Sequence, residues 1–307
     1  MLWGISGDPA FDSLRRELRG RGVPQVALDQ RQVRRARFEL DTCDGLAGRL
    51  ELDGDVIDID EIGAIFVRPF DIRQVVRESA DLASSAEGRD EAVTLQQRLF
   101  AWTEISDVVV LNRPSAMASN CSKPYQAELI RRSGFEIPPT LVTTTPDDAR
   151  DFIARYDRVI YKSVSDSRSM VSRVGATELA AIQDVANCPT QFQARIAGTD
   201  WRVHVVGDDV YACEIECEAD DYRCAEEQGF ALEIRSAPLP EPIAARCHGL
   251  AHSLNLPLAG IDLRRTVDDE WYCFEVNPAP AFTYYEQETG QPLAAAVAQL
   301  LSAGLPS

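Results

Sequence analysis

GIDLRRTVDDEWYCFEVNP, residues 260–278, reads as two short strands around a tight turn, with Ile261–Arg265 and Trp271–Val276 flanking Asp268–Asp269. A two-residue turn at that point sets Asp262 opposite Glu275, Leu263 opposite Phe274 and Arg264 opposite Cys273. Opposed residues of an antiparallel pair stand ~5 Å apart at Cβ, and alternate residues share a face. One face is then apolar, with Ile261, Leu263, Phe274 and Val276, while the other carries Asp262, Glu275 and Asn277. Two carboxylates and an amide oxygen, with no thiolate or imidazole beside them, form a donor set for a hard cation such as Mg²⁺. An amphipathic hairpin whose polar face is merely wet would carry the same pattern.

Periodicity places the other elements around this hairpin. Behind it, Pro242–Leu254 and Leu293–Leu301 read as helices, and Gln191–Ile196, Trp201–Val206 and Val210–Glu216 as strands. The middle of the chain predicts strands at Thr140–Thr143 and Val159–Ser163, with helices near Pro124–Arg132 and at Pro146–Ile153 and Ala176–Ala186. At the front, Leu2–Ser6, Phe11–Arg19 and Val23–Leu28 make a βαβ unit. Phe38–Leu40 and Gly48–Leu52 alternate like an antiparallel pair with the Asp53–Gly54 turn, and Ile62–Val67 and Val108–Leu111 are buried-type strands. Residues 70–105 read as mostly helical, with Ala83–Arg89 as a candidate loop. Alternating strands and helices early, and hairpins late, predict an α/β front and an α+β remainder. The small polar stretch Ser115–Ser122 marks the first boundary, giving domains 1–115, 116–190 and 191–307.

Composition narrows the function. The 307 residues carry a formal net charge of −18, spread along the chain, which argues against nucleic acid or an anionic membrane as partner. No apolar run approaches ~18 residues and the first residues carry no secretion pattern, so a cytoplasmic protein is expected. Eight cysteines scattered over this length fit a reducing compartment better than a disulfide framework. A homo-oligomer is compatible with all of this.

Gly260-Ile261-Asp262 followed by Glu275-Val276-Asn277-Pro278 resembles the metal signature of the ATP-grasp superfamily, in particular the RimK-like carboxylate–amine ligases. The resemblance runs backwards over about 200 residues. NRPSAMASNCSKPYQAELIRRSGFEIPPTLVTTTP is similar to the entry into the nucleotide-binding subdomain, VIYKSVSDSRS to the lysine-bearing strand and phosphate loop, QFQARIAGTDWRVHVVG to the adenine hinge, and ADDYR to a later arginine motif. It implies an ATP-grasp fold: an N-terminal α/β domain and two lobes that sandwich ATP. It also implies an ADP-forming ligase that activates a carboxylate as an acylphosphate and joins it to an amine or hydroxyl.

By this resemblance Lys123 and Lys162 bind the nucleotide, Gln193, Ala194 and Ile196 form the hinge that reads adenine mainly through backbone groups, and Arg202 and Arg223 contact phosphates or the acylphosphate. Asp262, Glu275 and Asn277 hold one or two Mg²⁺ ions. Phosphoryl transfer needs positioning and charge neutralisation more than acid–base groups, which suits these residue types. Two features depart from the pattern. Ser163–Arg173 has no glycine where a Gly-rich phosphate cradle is usual, leaving serines and Arg168 as donors, and Asn277 is followed by Pro278-Ala279-Pro280-Ala281 and the aromatics Phe282, Tyr284 and Tyr285. Structural roles remain open for the arginines: Arg202 as one half of a strand ion pair, Arg223 as a surface salt bridge. A glycine-free loop also permits a second class of function, a regulatory protein that binds ATP without turnover.

Further signals are weaker. Ile62–Pro69 resembles the arginine-ended strand of ligases that modify ribosomal peptides, which makes Arg68 a candidate clamp for the substrate carboxylate, on a peptide or a small molecule. Ser6-Gly7-Asp8 after the first strand reads as a helix N-cap or as an anion site at a helix start, and His204, on the strand face of Arg202, as a substrate contact or a structural histidine. Cys247, His248 and His252 lack the tight pairing of a zinc site. Arginine occurs 29 times and lysine twice, so Lys123 and Lys162 are candidates for positions that need a compact ammonium.

Overall fold

A computed structural model gives the fold and describes residues 1–83, 85–163, 172–217, 222, 225 and 229–303. The N-terminal region is built on β1 (Leu2–Gly4), β2 (Ala27–Asp29), β6 (Ala64–Val67) and β7 (Val109–Leu111), parallel in the order β2-β1-β6-β7. Helix Pro9–Gly20 starts two residues before the expected Phe11, because the Asp8 carboxylate accepts from the Phe11 amide at 2.9 Å and Pro9 stands in the first turn. Its stripe of Ala10, Phe11, Leu14 and Leu18 is buried. Beside this sheet lies an antiparallel meander of β3 (Ala36–Asp41), β4 (Ala47–Leu52) and β5 (Asp55–Asp58). The Asp53–Gly54 turn joins β4 to β5, a third strand that the sequence pattern did not separate from loop, with Asp53 and Gly54 both at positive φ. Helix Ala86–Ile105 covers the sheet and begins inside the expected Ala83–Arg89 loop, capped by Ser85.

The second sheet has β8 (Thr140–Thr143), β9 (Val159–Ser163), β10 (Ser172–Arg173) and β11 (Thr190–Ala194) in the order β10-β9-β11-β8. Val159 and Phe192 on one face pack with Ala149 and Phe152 of helix Pro146–Arg155. This sheet runs to Ala194, past the expected lobe boundary at 190, because Thr190–Ala194 pairs with both β8 and β9. The Ala176–Ala186 helix is instead a short α-helix, Ala176–Ala180, and a 3₁₀ turn, Ile182–Asn187.

The third sheet, order β14-β13-β12-β15-β16, comprises β12 (Thr199–Val206), β13 (Asp209–Cys217), β14 (Leu232–Ser236), β15 (Leu258–Arg265) and β16 (Trp271–Asn277). β14 escaped the sequence reading because only Ile234 in it is buried. One face of this sheet (Trp201, Val203, Val205, Ile261, Leu263, Cys273, Val276) forms a core with helix Glu241–Ser253. Helices Phe282–Thr289 and Leu293–Ala303 return to the front of the chain, sharing a core with Leu2, Phe11 and Leu14. No helix among the described residues is long and apolar enough to cross a membrane.

Candidate functional site

The polar face of the third sheet is assembled by strand alternation. Arg202 pairs with Asp262 and Asp200 with Arg264 across β12 and β15, and Asp262 pairs with Glu275 across β15 and β16. The predicted hairpin register therefore holds from Gly260 to Asp262. Beyond it the register shifts, so that Leu263 faces Cys273 and Arg264 faces Tyr272. This bulge corrects the expected apolar face: Cys273, fully buried, takes the core position, and Phe274 lies under Arg264, with the guanidinium 5.1 Å from its ring centre.

Arg202 is 5% exposed and donates Nη1 to Asp262 Oδ1 at 2.7 Å. Burial disfavours its charge, but the Asp262 carboxylate and the Tyr285 and Tyr222 hydroxyls lift its pKa above the ordinary arginine value. It crosses over Gly260, where a Cβ would come within 2.1 Å of the guanidinium, so only glycine fits. Arg202 Nε donates to His204 Nε2 at 3.5 Å, and burial together with the Arg202 charge holds His204 neutral. The His204 ring packs at a tilt against Tyr285, with ring centres 5.1 Å apart, and the Tyr285 and Tyr222 hydroxyls share a 2.7 Å hydrogen bond. Of the aromatic cluster expected beside the acceptor site, Phe282 is core, Tyr285 backs Arg202, and Tyr284 is exposed.

Lys123 opens helix Lys123–Arg132 and lies 3.7 Å from Glu275. One turn on, the buried Gln126 carboxamide donates to the Val276 carbonyl (2.8 Å) and accepts from the Val276 amide (3.0 Å), which fixes this helix to β16. Asn277 Oδ1 accepts from the Ala279 amide at 2.9 Å. Among the described residues no group of three or more His, Cys, Asp or Glu side chains could hold a metal. The predicted set instead comprises two carboxylates and one amide oxygen. That oxygen-only chemistry fits a hexacoordinate hard cation whose other ligands come from phosphate and water.

In the second sheet, Lys162 pairs with Gln191 and Ile160 with Gln193, so all four share the face away from the helix core. The expected hinge residues lie at the end of β11 and just beyond it. Gln193 lies between β8 and β9, and the amides of Ala194 and Arg195 donate to Pro139 and Arg158, so adjacent strands occupy these backbone groups. Ile196 lies beyond the strand, and its carbonyl accepts from Arg264 Nη1 at 2.8 Å. Arg264 also grips Asp200 with Nε and Nη2 at 2.7 and 2.8 Å. Sequence reasoning missed this Arg264–Asp200–Ile196 tie; its only local signal was the alternation that put Arg264 on the face of Asp262.

Arg68 stands at the junction of the front region with the loop after β16, but its fork is filled. Nε and Nη2 donate to the two Asp8 oxygens (2.7 and 3.3 Å), and Nη1 to the carbonyls of Ala279 and Pro280 (2.9 and 3.1 Å). Arg68, the expected substrate clamp, makes these contacts to the helix cap and to the loop after β16. Asn112, also buried, donates to the carbonyls of Leu258 and Pro278 at 2.6 Å each. Arg223, Arg168 and most of the glycine-free loop lie outside the described residues.

A family model of the RimK-like ATP-grasp domain matches residues 120–301. The ribosomal protein bS6–L-glutamate ligase of Salmonella newport (strain SL254) is 28% identical over 201 residues, a stretch covering 62% of this chain and 66% of that relative. Among solved structures, the ATP-grasp ligase PsnB complexed with minimal precursor, Mg and ADP is similar with a TM-score of 0.81 at 23% identity, covering 99% of this chain and 96% of that one. The macrocyclase MdnC bound with precursor peptide MdnA, from Microcystis aeruginosa MRC, gives 0.82 at 18% identity, covering 98% and 99%. These likenesses establish the ATP-grasp fold.

Proposed function

We propose, from the premise that this chain belongs to the RimK-like ATP-grasp family, that it is an ADP-forming ligase joining a carboxylate to an amine or hydroxyl on a peptide substrate. The observation that carries the proposal is the single sheet face bearing Asp262, Glu275 and Asn277, each carboxylate with its own cation, Arg202 at 2.7 Å and Lys123 at 3.7 Å. Bound ATP with Mg²⁺ would supply the phosphoryl group that activates the carboxylate. Asp262, Glu275 and Asn277 would hold the metal; Lys123 and Lys162 would bind phosphate oxygens as compact point charges.

Arg202 is itself fixed by Asp262, and so presents a charge whose direction is set before substrate arrives. Gln126 holds the Lys123 helix to the Glu275 strand, so the lysine and the metal ligand keep one spacing. Neutral, buried His204 acts as packing for Arg202 and not as an acid or base. A peptide substrate is supported by the similar structures of PsnB complexed with precursor peptide PsnA2 and of MdnC bound with precursor peptide MdnA.

The test is ADP release by the full chain with Mg²⁺ and short peptides bearing Asp or Glu together with Lys or Ser. The expected result is ADP only when carboxylate and nucleophile are both present. ATP that stays bound and unchanged in every mixture would select the regulatory ATP-binding alternative.

A further inference from the structure

We infer that Arg264 is a positioning residue that sets the angle between the second and third sheets, so that one triphosphate can meet Lys162 and Asp262 together; the inference rests on the nucleotide reading above. Among the described residues the chain passes between these sheets twice, at 136–139 and at 195–198. The two passages run side by side, because the Ala194 amide donates to the Pro139 carbonyl at 2.9 Å. The first passage is stiff by itself. Pro138 and Pro139 fix their own φ, and the Glu136 carbonyl accepts from the Cys273 amide of β16 at 2.9 Å.

The second passage has no such stiffness in its sequence. It ends in Ala197-Gly198, with Gly198 at φ +154°, a conformation that side chains disfavour. Its hold comes from β15. Arg264 Nη1 donates to the Ile196 carbonyl at 2.8 Å, while Nε and Nη2 grip the Asp200 carboxylate at 2.7 and 2.8 Å. Gly198 lies against the same strand, where a Cβ would come within 2.2 Å of the Arg265 carbonyl. The guanidinium is itself oriented, because the bulge in β16 brings the Phe274 ring to 5.1 Å from it. One planar fork thus joins the passage, the start of β12 and β15, which a compact ammonium could not do.

Position along the strand gives this fork its consequence. Arg264 stands two residues from Asp262 on the same face of β15, whereas Lys162 lies on β9 in the second sheet. The two sheets have separate cores, so neither needs the fork in order to form. What the fork fixes is their relation. Phosphoryl transfer is sensitive to that relation, since a misplacement of about 1 Å costs roughly 10²-fold in rate.

Calorimetric titration of the full chain with ATP, once with Mg²⁺ and once with the ion removed by a chelator, tests this. An ion on the third-sheet carboxylates should tighten a triphosphate held by the second sheet, so wild-type affinity should rise at least ~10-fold with Mg²⁺. Arg264→Met and Arg264→Lys should bind metal-free ATP within ~2-fold of wild type and lose most of that rise, because the sheets no longer present lysine and carboxylates at one spacing. A role in stability alone would lower the melting temperature and leave the rise intact. An undiminished rise in either variant, or an equal loss of affinity with and without the ion, overturns the inference and leaves the nucleotide reading standing. Failure of both variants to fold overturns it too, because a fork that only sets an angle is not needed by either core. A wild type that binds no ATP, or binds it equally with and without Mg²⁺, overturns both.

Discussion

Asp262 and Glu275 present the same charge on the same face, yet neutralising them has different consequences. Arg202 is almost wholly buried and Asp262 is its one close carboxylate partner among the described residues, so Asp262→Asn leaves a buried guanidinium without that partner. Because Asp262 itself keeps about a quarter of its side-chain surface, we expect the lower part of the usual range for breaking a buried pair, ~2–3 kcal/mol, and a melting temperature lower by several degrees. Glu275→Gln weakens a longer contact, with the Lys123 ammonium 3.7 Å away and Glu275 itself about a quarter exposed. That variant should melt within ~1 °C of wild type while Mg²⁺-dependent ATP turnover falls more than ~100-fold. Thermal melts and ADP assays on both variants check the contrast; equal melting temperatures would mean that Arg202 does not depend on Asp262. The lysines make a second test. Lys162→Arg keeps the charge but puts a wide planar fork where a compact ammonium ends an apolar strand, so ATP affinity should fall at least ~10-fold. Lys123→Arg should act in the same direction, more mildly. Wild-type affinity in both arginine variants, read by calorimetry, would show that lysine scarcity carries no functional meaning.

Helix Lys123–Arg132 is hydrogen-bonded to the β16 backbone through the Gln126 side chain, and this joint helps to set the distance from Lys123 to Glu275. Gln126→Leu leaves the Val276 amide and carbonyl without partners in a dry interface, at roughly 1–3 kcal/mol for each unsatisfied group. The expected outcome is a melting temperature lower by ~5 °C or more, with weaker ATP binding although Gln126 touches no nucleotide site. Unchanged melting would mean that the joint is held by the surrounding apolar contacts instead. The same elements show how much was legible in advance. Asp262 facing Glu275 followed from a period of two and a tight turn, both local properties. The bulge did not, because Cys273 and Phe274 are both apolar and only the fit against the core of Cys247 and Leu250 selects the small thiol. Gln126 gave no signal either: its partner lies 150 residues away, and a glutamine on a helix normally faces water. The Arg264–Asp200 tie spans 64 residues and was hidden for the same reason.

Long-range ties hold the front of the chain to the back, and two of them converge on the loop after Asn277. Asn112 holds the carbonyls of Leu258 and Pro278, Arg68 those of Ala279 and Pro280, and helix Leu293–Ala303 packs between the front sheet and the third sheet. β16 therefore ends in a segment that is tied to the N-terminal region. Arg68 is the test of this arrangement. Its side chain and that of Asp8 are 13% and 8% exposed, so their pairing is strongly coupled. Asp8→Asn keeps the helix cap while removing the charge, and Arg68→Met keeps the apolar stem while removing the fork. Each single variant should lose ~2–4 kcal/mol of stability, and the double variant less than their sum by at least ~1 kcal/mol. Arg68→Met should also speed hydrogen exchange across residues 278–282, whereas Asp8→Asn should leave that segment closer to wild type because the two carbonyl bonds survive. Denaturant unfolding and exchange measured without any substrate decide the matter. If Arg68→Met unfolds like the wild type and loses only its affinity for an acidic peptide, the arginine is a substrate clamp and the tie to Asp8 is incidental.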